Sequence, residues 1–507
     1  MTTAVNKKEK EGAPNAVGKK SRKSRNSVRM RIVATAKVEM TMRPISLLVL
    51  LTVFMPSAAA QSVHDGKTLV IKQVTVIDVA NAAFKPDMTV TVRGGRITGI
   101  EKASRRLPKE ALVVDGRGKF LIPGLWDMHV HTNFGDWLPG GEEIILPLFV
   151  ANGITGVRDM GGDLHQLIEW RKQIEAGTIL GPRMVISGPM IDGAPPHFPA
   201  SVPVATAAEG RKAVDDLKQG GADFIKVQSY IPRDAYFAVA EESKKQGMTF
   251  VGHVPDTIRA SEASNAGQKS IEHFTGIFEG CSTIEDELLK GPKGPRRVLE
   301  SYSEPKCAAL IALLAKNGTW QVPTLVWERG QWLIDDLDLS QSPGAKYAAT
   351  TWRNKTYKKF TESIVKELDT DPITYRRQFV AKELDMTLAM HRAGVPLMAG
   401  TDTAAGVYVI PGFSLHQELE LFVKAGLTPI EALQTATLNP AKFLGRTNDS
   451  GTVETGKLAD LVLLDANPLD DIRNTQKISA VVLGGRYFSR ADLDSMLKNV
   501  EAAAPEK

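Results

Sequence analysis

Between residues 125 and 402, short apolar runs alternate with amphipathic stretches long enough to form helices. That alternation is the pattern of a parallel sheet built from strand–helix units. Strands are expected at 125–131, 156–159, 184–187, 224–228, 249–254, 270–274, 320–325 and 396–402. Helices are expected between them, including 142–151, 164–176, 207–219, 233–246 and 386–393. Eight such units indicate an α/β chain with a TIM-type (β/α)8 barrel over residues 123–445. In that fold the residues at the C-terminal ends of the strands face the active site.

The flanks have a different texture. Residues 68–100 alternate apolar and polar positions around Gly94-Gly95, as a hairpin does, and β character continues through 112–115 and 120–122. Residues 451–465 and 478–488 match them, with Gly484-Gly485 in a second turn. The expectation is that 66–122 and 446–490 join into one small β-sandwich outside the barrel, with 491–507 as a C-terminal tail.

Composition is ordinary for a globular chain, at 43% hydrophobic and 24% charged residues. The net charge of +5 is unevenly placed. Residues 1–44 hold 12 Lys and Arg against 3 Glu, a net of +9, so the remainder carries −4. Basic residues confined to one tail do not indicate a nucleic-acid partner. Residues 45–55 form an apolar stretch of 11 residues after Arg43, and Pro56-Ser57-Ala58-Ala59-Ala60 follows. This reads as a signal peptide at 40–60, cut after Ala60, and predicts a periplasmic or secreted protein. The stretch is too short to span a bilayer, so no stable membrane anchor is expected. Residues 1–39 read as a basic disordered tail or an over-extended start, because Met40 or Met42 would give a signal peptide its normal spacing. For the two cysteines, Cys281 and Cys307, a disulfide and a pair of buried thiols are both open.

Candidate chemistry clusters at the predicted strand ends. His129 and His131 stand at i and i+2 on the first barrel strand, so both side chains point to one side. Imidazole suits zinc and similar divalent ions. Lys226 lies on the fourth strand, His253 and His273 end the fifth and sixth, and Asp402 ends the eighth. Singly each has a blander explanation: a packed core histidine, a snorkelling lysine, a helix N-cap. Together at one end of a barrel they predict a metal site.

The runs PGLWDMHVHT, GITGVRDMGG, GADFIKV, GHV, EHFTG, AGTD and GLTPIEALQTATLNPAKFLG carry a resemblance. So does the returning segment GTVETGKLADLVLLDANPL. Over nearly all of residues 66–490 the chain resembles the amidohydrolase superfamily of metal-dependent hydrolases, in its imidazolonepropionase and Xaa-Pro dipeptidase-like branch. The resemblance implies two divalent ions, zinc above all. It also implies a Lys226 carboxylated by CO2, whose carbamate bridges them. His129, His131 and Asp402 would hold one ion, and His253 and His273 the other. Asp402 would be the catalytic proton acceptor for a water activated by the metals. The implied reaction is hydrolysis of an amide bond in a small molecule such as a dipeptide or N-acyl amino acid. An uncarboxylated lysine beside a single ion, in a cyclic amidase, a deaminase or a lactonase, is the alternative. A metal-binding scaffold without catalysis is the non-enzyme alternative.

Three residues are expected at the substrate. His197 lies in the loop after the third strand, where the branch tends to have Gly-Gly-His and this chain has Pro-Pro-His. Tyr230 follows Lys226 by four residues. Arg158 ends the second strand and either holds a substrate carboxylate or pairs with Asp159, the reading we prefer. The roughly hundred residues between 281 and 384 contain a basic, aromatic stretch (347–382) read equally as a helical lid or as solvated surface helices. Oligomerisation is left open.

Overall fold

A computed structural model describes residues 68–507 except 103–106, 134–140, 197, 199, 339–341, 343, 349–358, 360–361, 363–365, 367–370, 405–407 and 505–507. The expected tail and signal peptide, most of the 347–370 stretch, and His197 lie outside the described residues.

Five strands open the described chain: β1 (Leu69–Asp78), β2 (Ala83–Arg93), β3 (Arg96–Lys102), β4 (Leu112–Asp115) and β5 (Phe120–Pro123). Gly94 and Gly95, with φ of 56° and 75°, supply the left-handed pair that a tight β2–β3 hairpin needs. β1 pairs with β2 antiparallel, and with β4 and β5 in parallel. Parallel strands follow: β6 (Leu125–Val130), β7 (Ile154–Asp159), β8 (Arg183–Ile186), β9 (Met190–Gly193), β10 (Ser201–Val204), β11 (Ile225–Val227), β12 (Phe250–Gly252), β13 (Ser270–Glu272) and β14 (Trp320–Val322). They form a three-stranded sheet β6-β7-β8 and a six-stranded sheet β10-β9-β11-β12-β13-β14. β15 (Leu461–Leu464), β16 (Ile478–Leu483) and β17 (Arg486–Ser489) close the chain. β15 pairs antiparallel with β5, so both chain ends share one eight-stranded sheet. Where a sandwich was expected, the hydrogen bonding runs through a single mixed sheet. One of its faces encloses a core of its own, including Leu69, Ile71, Val90, Leu461 and Val482, while Ile77, Ile122, Val462 and Val481 join the main core.

Backbone hydrogen bonds reach past the assigned strands. Asp223 N donates to Ile186 O at 2.8 Å, linking β8 to the approach of β11. Met398 N donates to Gln321 O at 3.0 Å and Met128 N to Ala399 O at 2.9 Å. The run 396–402, expected as a strand, therefore lies between β14 and β6, although only single bridges at Leu397 and Thr403 are formed there. β9 and β10 were not expected. Met190–Gly193 is too short for a visible alternation, and Ser201–Val204 contains Pro203.

Helix ends follow local chemistry. Leu164–Ala176 starts where Asp163 accepts from Gln166 N at 2.8 Å, and stops at Gly177 with φ 75°. Ala207–Gly220 opens with a capping box between Thr206 and Glu209. The expected C-terminal tail is instead a helix, Arg490–Ala503, started by a capping box of Ser489 and Asp492 and buried through Leu493 and Val500. Residues 386–393 prove to be the end of a longer helix, Ile373–Arg392. Cys281 and Cys307 are joined as a disulfide spanning 26 residues.

Candidate active site

Strand geometry brings the six expected side chains together. On β6, Asp127 and His129 share a face, and His131 follows just past the strand end. Lys226 sits in the middle of β11. His253 and His273 are the first residues beyond β12 and β13. Asp402 ends the run beside β6, where its N–H donates to His129 O at 2.8 Å. Asp402 Oδ1 lies 3.3 Å from His129 Nε2 and 3.1 Å from His131 Nε2, and Oδ2 lies 3.9 Å from His273 Nε2. The His273 ring centroid is 4.6 Å from that of His129 and 5.0 Å from that of His253.

Each imidazole is oriented from behind. His131 Nδ1 lies 2.8 Å from Gly161 O and His129 Nδ1 2.9 Å from Glu272 Oε2. Both partners only accept, so both Nδ1 atoms carry the proton. His253 Nδ1 lies 2.8 Å from Ser229 Oγ and His273 Nδ1 2.7 Å from Thr324 Oγ1. Those hydroxyls already donate, to Gln228 Oε1 and to Pro323 O, so they too accept from Nδ1–H. With Nδ1 engaged from behind in each ring, Nε2 is the atom left to act as a donor, and those of His129, His131 and His273 lie 3.3, 3.1 and 3.9 Å from the Asp402 carboxylate, the outer-shell arrangement that metal-binding histidines use. His129 Nε2, Asp402 Oδ1 and Lys226 Nζ are buried without a hydrogen bond among the described residues. Buried polar atoms left this way ask for a partner. A divalent ion fits: donor atoms of His129, His131 and Asp402 lie within 4.8 Å of one another.

Electrostatics agree with that donor role. Burial, with the charge of Lys226 close by, holds His129 and His253 well below the ordinary histidine value, and burial with the nearby His129 does the same to His273. These rings are neutral at neutral pH, the form in which imidazole can ligate a metal. Burial pulls His131 down too, but the adjacent Asp402 carboxylate outweighs it and lifts the ring above its ordinary value. Burial lowers Lys226 to about 8, which raises its share of free amine.

The backbone is shaped to the same end. His273, Phe274, Thr324 and Asp402 all have positive φ, between 50° and 57°. Non-glycine residues held there carry strain that tends to gather at functional sites. Gly252, just before His253, has φ 130°, and a Cβ there would meet Val227 O at 2.2 Å and Lys226 Cδ at 2.9 Å. Gly252→Ala is expected to cost about 1–3 kcal/mol of stability and to lower metal occupancy by moving Lys226. Urea denaturation and metal analysis check this, and wild-type values in both would contradict it.

Arg158 requires a correction. It is fully buried and contacts neither substrate space nor Asp159. Its Nη2 donates to Glu272 at 3.0 and 2.9 Å, Nη1 to Ser270 Oγ at 3.0 Å and Nε to Met128 O at 2.6 Å. The reason is strand order: β13 presents Ser270 and Glu272 inward across from β7, and a buried guanidinium takes the carboxylate it can reach. Asp159 instead accepts from Thr132 N, Thr132 Oγ1 and Gly161 N. Tyr230 is 52% exposed on the loop after β11, with its N–H donated to Asp192 Oδ1. It is placed at the mouth and is not drawn into the six-residue centre.

Sequence reasoning missed the supporting set: Glu272, Asp127, Ser229, Thr324 and Trp327. Two signals were present. Glu272 and Ser270 alternate on one strand, and Asp127 stands two residues before His129. Asp127 accepts from His129 N, Thr401 N and Thr401 Oγ1, locking the segment of His129 and His131 to that of Asp402.

The helix Leu325–Trp332 after β14 has an unusual start. The hydroxyl of its N-cap residue Thr324 accepts from His273 Nδ1–H and donates to Pro323 O, so it does not cap the helix. Glu418, from the helix Phe413–Ala425, accepts from Leu325 N at 3.0 Å and Val326 N at 2.7 Å instead. Trp327 on the same helix has its ring centroid 5.0 Å from that of His273. Behind it, Glu328 and Glu383 share the Trp332 indole N–H, at 2.9 and 3.1 Å. Burial pushes Glu383 and Glu418 up to about 8, and raises Glu328 well above the usual carboxyl range. An unfolded carboxyl loses its proton near its ordinary value of 4.5, whereas folded Glu383 keeps it to about 8. The stability these groups contribute is therefore whole at low pH and is lost as pH rises through that window. Glu383→Gln is expected to flatten the fall in unfolding free energy between mildly acidic and mildly alkaline pH, read by urea titration. An unchanged slope would contradict the assignment.

The family model described as "Amidohydrolase family" matches residues 120–487. The chain belongs to the amidohydrolase family and is a hydrolase acting on carbon–nitrogen bonds. A curated relative, ochratoxinase of Aspergillus niger, is 26% identical over 428 residues, covering 73% of this chain and 75% of the relative. A bottromycin amidohydrolase structure superposes with TM-score 0.67 at 24% identity, covering 86% of this chain and 90% of that one. A Xaa-Pro dipeptidase with bound methionine superposes with TM-score 0.62 at 22% identity, covering 83% of this chain and all of that one. These structural likenesses show the fold, which for this family implies a TIM-type barrel with α/β content.

Proposed function

We propose that the protein is an exported, periplasmic or secreted, amidohydrolase on a closed (β/α)8 barrel. It would cleave the amide bond of a small substrate, such as a dipeptide or an N-acyl amino acid, at a centre of two divalent ions. The observation that carries this reading is the convergence of His129 Nε2, the Lys226 amine and Asp402 Oδ1, buried without a hydrogen bond among the described residues, with the rings of His131 and His273 turned toward the same carboxylate. The histidine-rich donor set suits zinc.

His129, His131 and Asp402 would hold one ion, and His253 and His273 the other. Lys226 as the free amine adds to CO2, forming one N–C bond and releasing one proton, and its carbamate would supply the anionic bridge. Once bound, such ions polarise a carbonyl and lower the pKa of a water. The chain's own groups do the rest. Glu272, Gly161, Ser229 and Thr324 fix the ring orientations. Asp402 accepts a proton on its carboxylate and hands it to the leaving nitrogen. The name of one structural neighbour, a Xaa-Pro dipeptidase with bound methionine, supports a substrate with an amino-acid portion. Tyr230 at the mouth is the described candidate for contact with that portion.

A one-ion centre is the second reading, favoured by the close grouping of His129, His131 and Asp402 alone. Metal analysis separates the two: two ions per chain with a carboxylated Lys226, or one ion with a free lysine. A panel of dipeptides and N-acyl amino acids, assayed with and without chelator, tests the function. Activity is expected to vanish on metal removal and to return with added zinc. Activity that survives complete removal would end the proposal.

A further inference from the structure

A cleft of about 660 Å³ lies away from the metal centre, on the side where the barrel strands begin. Arg183 opens β8 and lines it, whereas the metal-facing residues stand at strand ends. Its other walls are two hairpin tips, Gly94-Gly95 and Gly484-Gly485, and the helix Leu164–Ala176. The tips touch: a Cβ on Gly485 would fall 2.8 Å from Gly95 Cα. Both chain ends therefore build this hollow. Its volume is that of a small-molecule site.

The lining is cationic although the chain after residue 60 is net acidic. Six basic residues face it: Arg96, Arg171, Lys172, Arg183, Arg446 and Arg486. Three are neutralised, Arg96 by Asp449 at 2.8 Å, Arg171 by Asp223 at 2.6 Å and Arg183 by Asp460 at 2.6 Å. Lys172, Arg446 and Arg486 have no ion pair among the described residues. Glu175 is the one lining carboxylate left without an ion pair there, and it is exposed.

Arg486 is the telling member. It is half-buried, its Nε has no hydrogen-bond partner, and its guanidinium lies 5.2 Å from the Phe488 ring centroid. Among the described residues it makes no hydrogen bond to the adjacent helix end, where its Nη1 lies 3.8 Å from the Cβ position of Gly177. The carbonyls of Gln173 and Ile174 are already taken by Thr178 N and Gly177 N. A partly desolvated guanidinium without an anion is unfavourable, and its fork matches a phosphoryl group or a carboxylate. Ile168, Leu458 and Leu483 line the same hollow and offer an apolar wall.

We propose that this cleft is a second binding site, for a small phosphate ester carrying an apolar group, with Arg486, Lys172 and Arg446 as its anion contacts. The test uses the full-length protein at low ionic strength, titrated calorimetrically with phenyl phosphate and with inorganic phosphate. Saturable binding is expected, tighter for phenyl phosphate. It should weaken about tenfold or more in Arg486→Ala and in the surface pair Lys172→Gln/Arg446→Gln, which leaves the packing of Arg486 intact. It should persist in His129→Ala, whose metal centre is broken, so failure of this site and failure of the proposed function are told apart. No saturable binding at millimolar ligand, binding lost in His129→Ala, or binding unchanged in both cleft variants would overturn the proposal.

Discussion

Asp402→Asn is expected to lower kcat by about 10²–10⁴-fold, the range for losing a positioned proton-transfer group. The reasoning is local. Asp402 Oδ1 stands 3.1 Å from His131 Nε2 and 3.3 Å from His129 Nε2, and no other carboxylate among the described residues joins that metal-ligand group. The amide of Asn can still offer an oxygen to an ion, but it does not accept a proton. Metal content should therefore fall far less than turnover. Steady-state kinetics and metal analysis on the same sample decide this. A variant with near-normal kcat would remove Asp402 from the chemistry, and one that loses metal in proportion to activity would reduce its role to holding the ion.

Arg158→Met is expected to destabilise the fold by about 3–5 kcal/mol, the effect of leaving one partner of a buried ion pair uncompensated. Glu272 would keep Ser270 and His129 as neighbours but lose both guanidinium contacts in a fully buried place. Adding Glu272→Gln should recover part of the loss, because the stranded charge is then gone. The double variant should still turn over slowly, since His129 would have lost the carboxylate that fixes its ring. Urea unfolding reads the stability. If the single and double variants are equally unstable, the cost lies in lost packing rather than in the unpaired carboxylate.

The convergence of the six side chains was legible because strand alternation and strand ends are short-range patterns. His129 and His131 needed only a period of two, and His253, His273 and Asp402 needed only the ends of apolar runs. What pairs with what across the sheet was not legible. Arg158 meets Glu272 rather than its neighbour Asp159 because strands far apart in sequence lie close inside the fold, and no local pattern encodes that. Thr324 was missed for the same reason, since its hydroxyl answers to a histidine 51 residues away. The C-terminal helix was readable from Ser489 and Asp492, but the polar character of 491–507 hid its two buried contacts, Leu493 and Val500. β9 was hidden by its four-residue length.

The pairing of β5 with β15 sets a schedule for the nascent chain. Val462 bonds opposite Ile122, about 340 residues earlier, so the first hairpins wait with an open edge until almost the whole polypeptide has been made. Contacts this distant in sequence slow folding. The edge of β5 is closed only when β15 arrives, so the small sheet is completed last, by the far end of the chain.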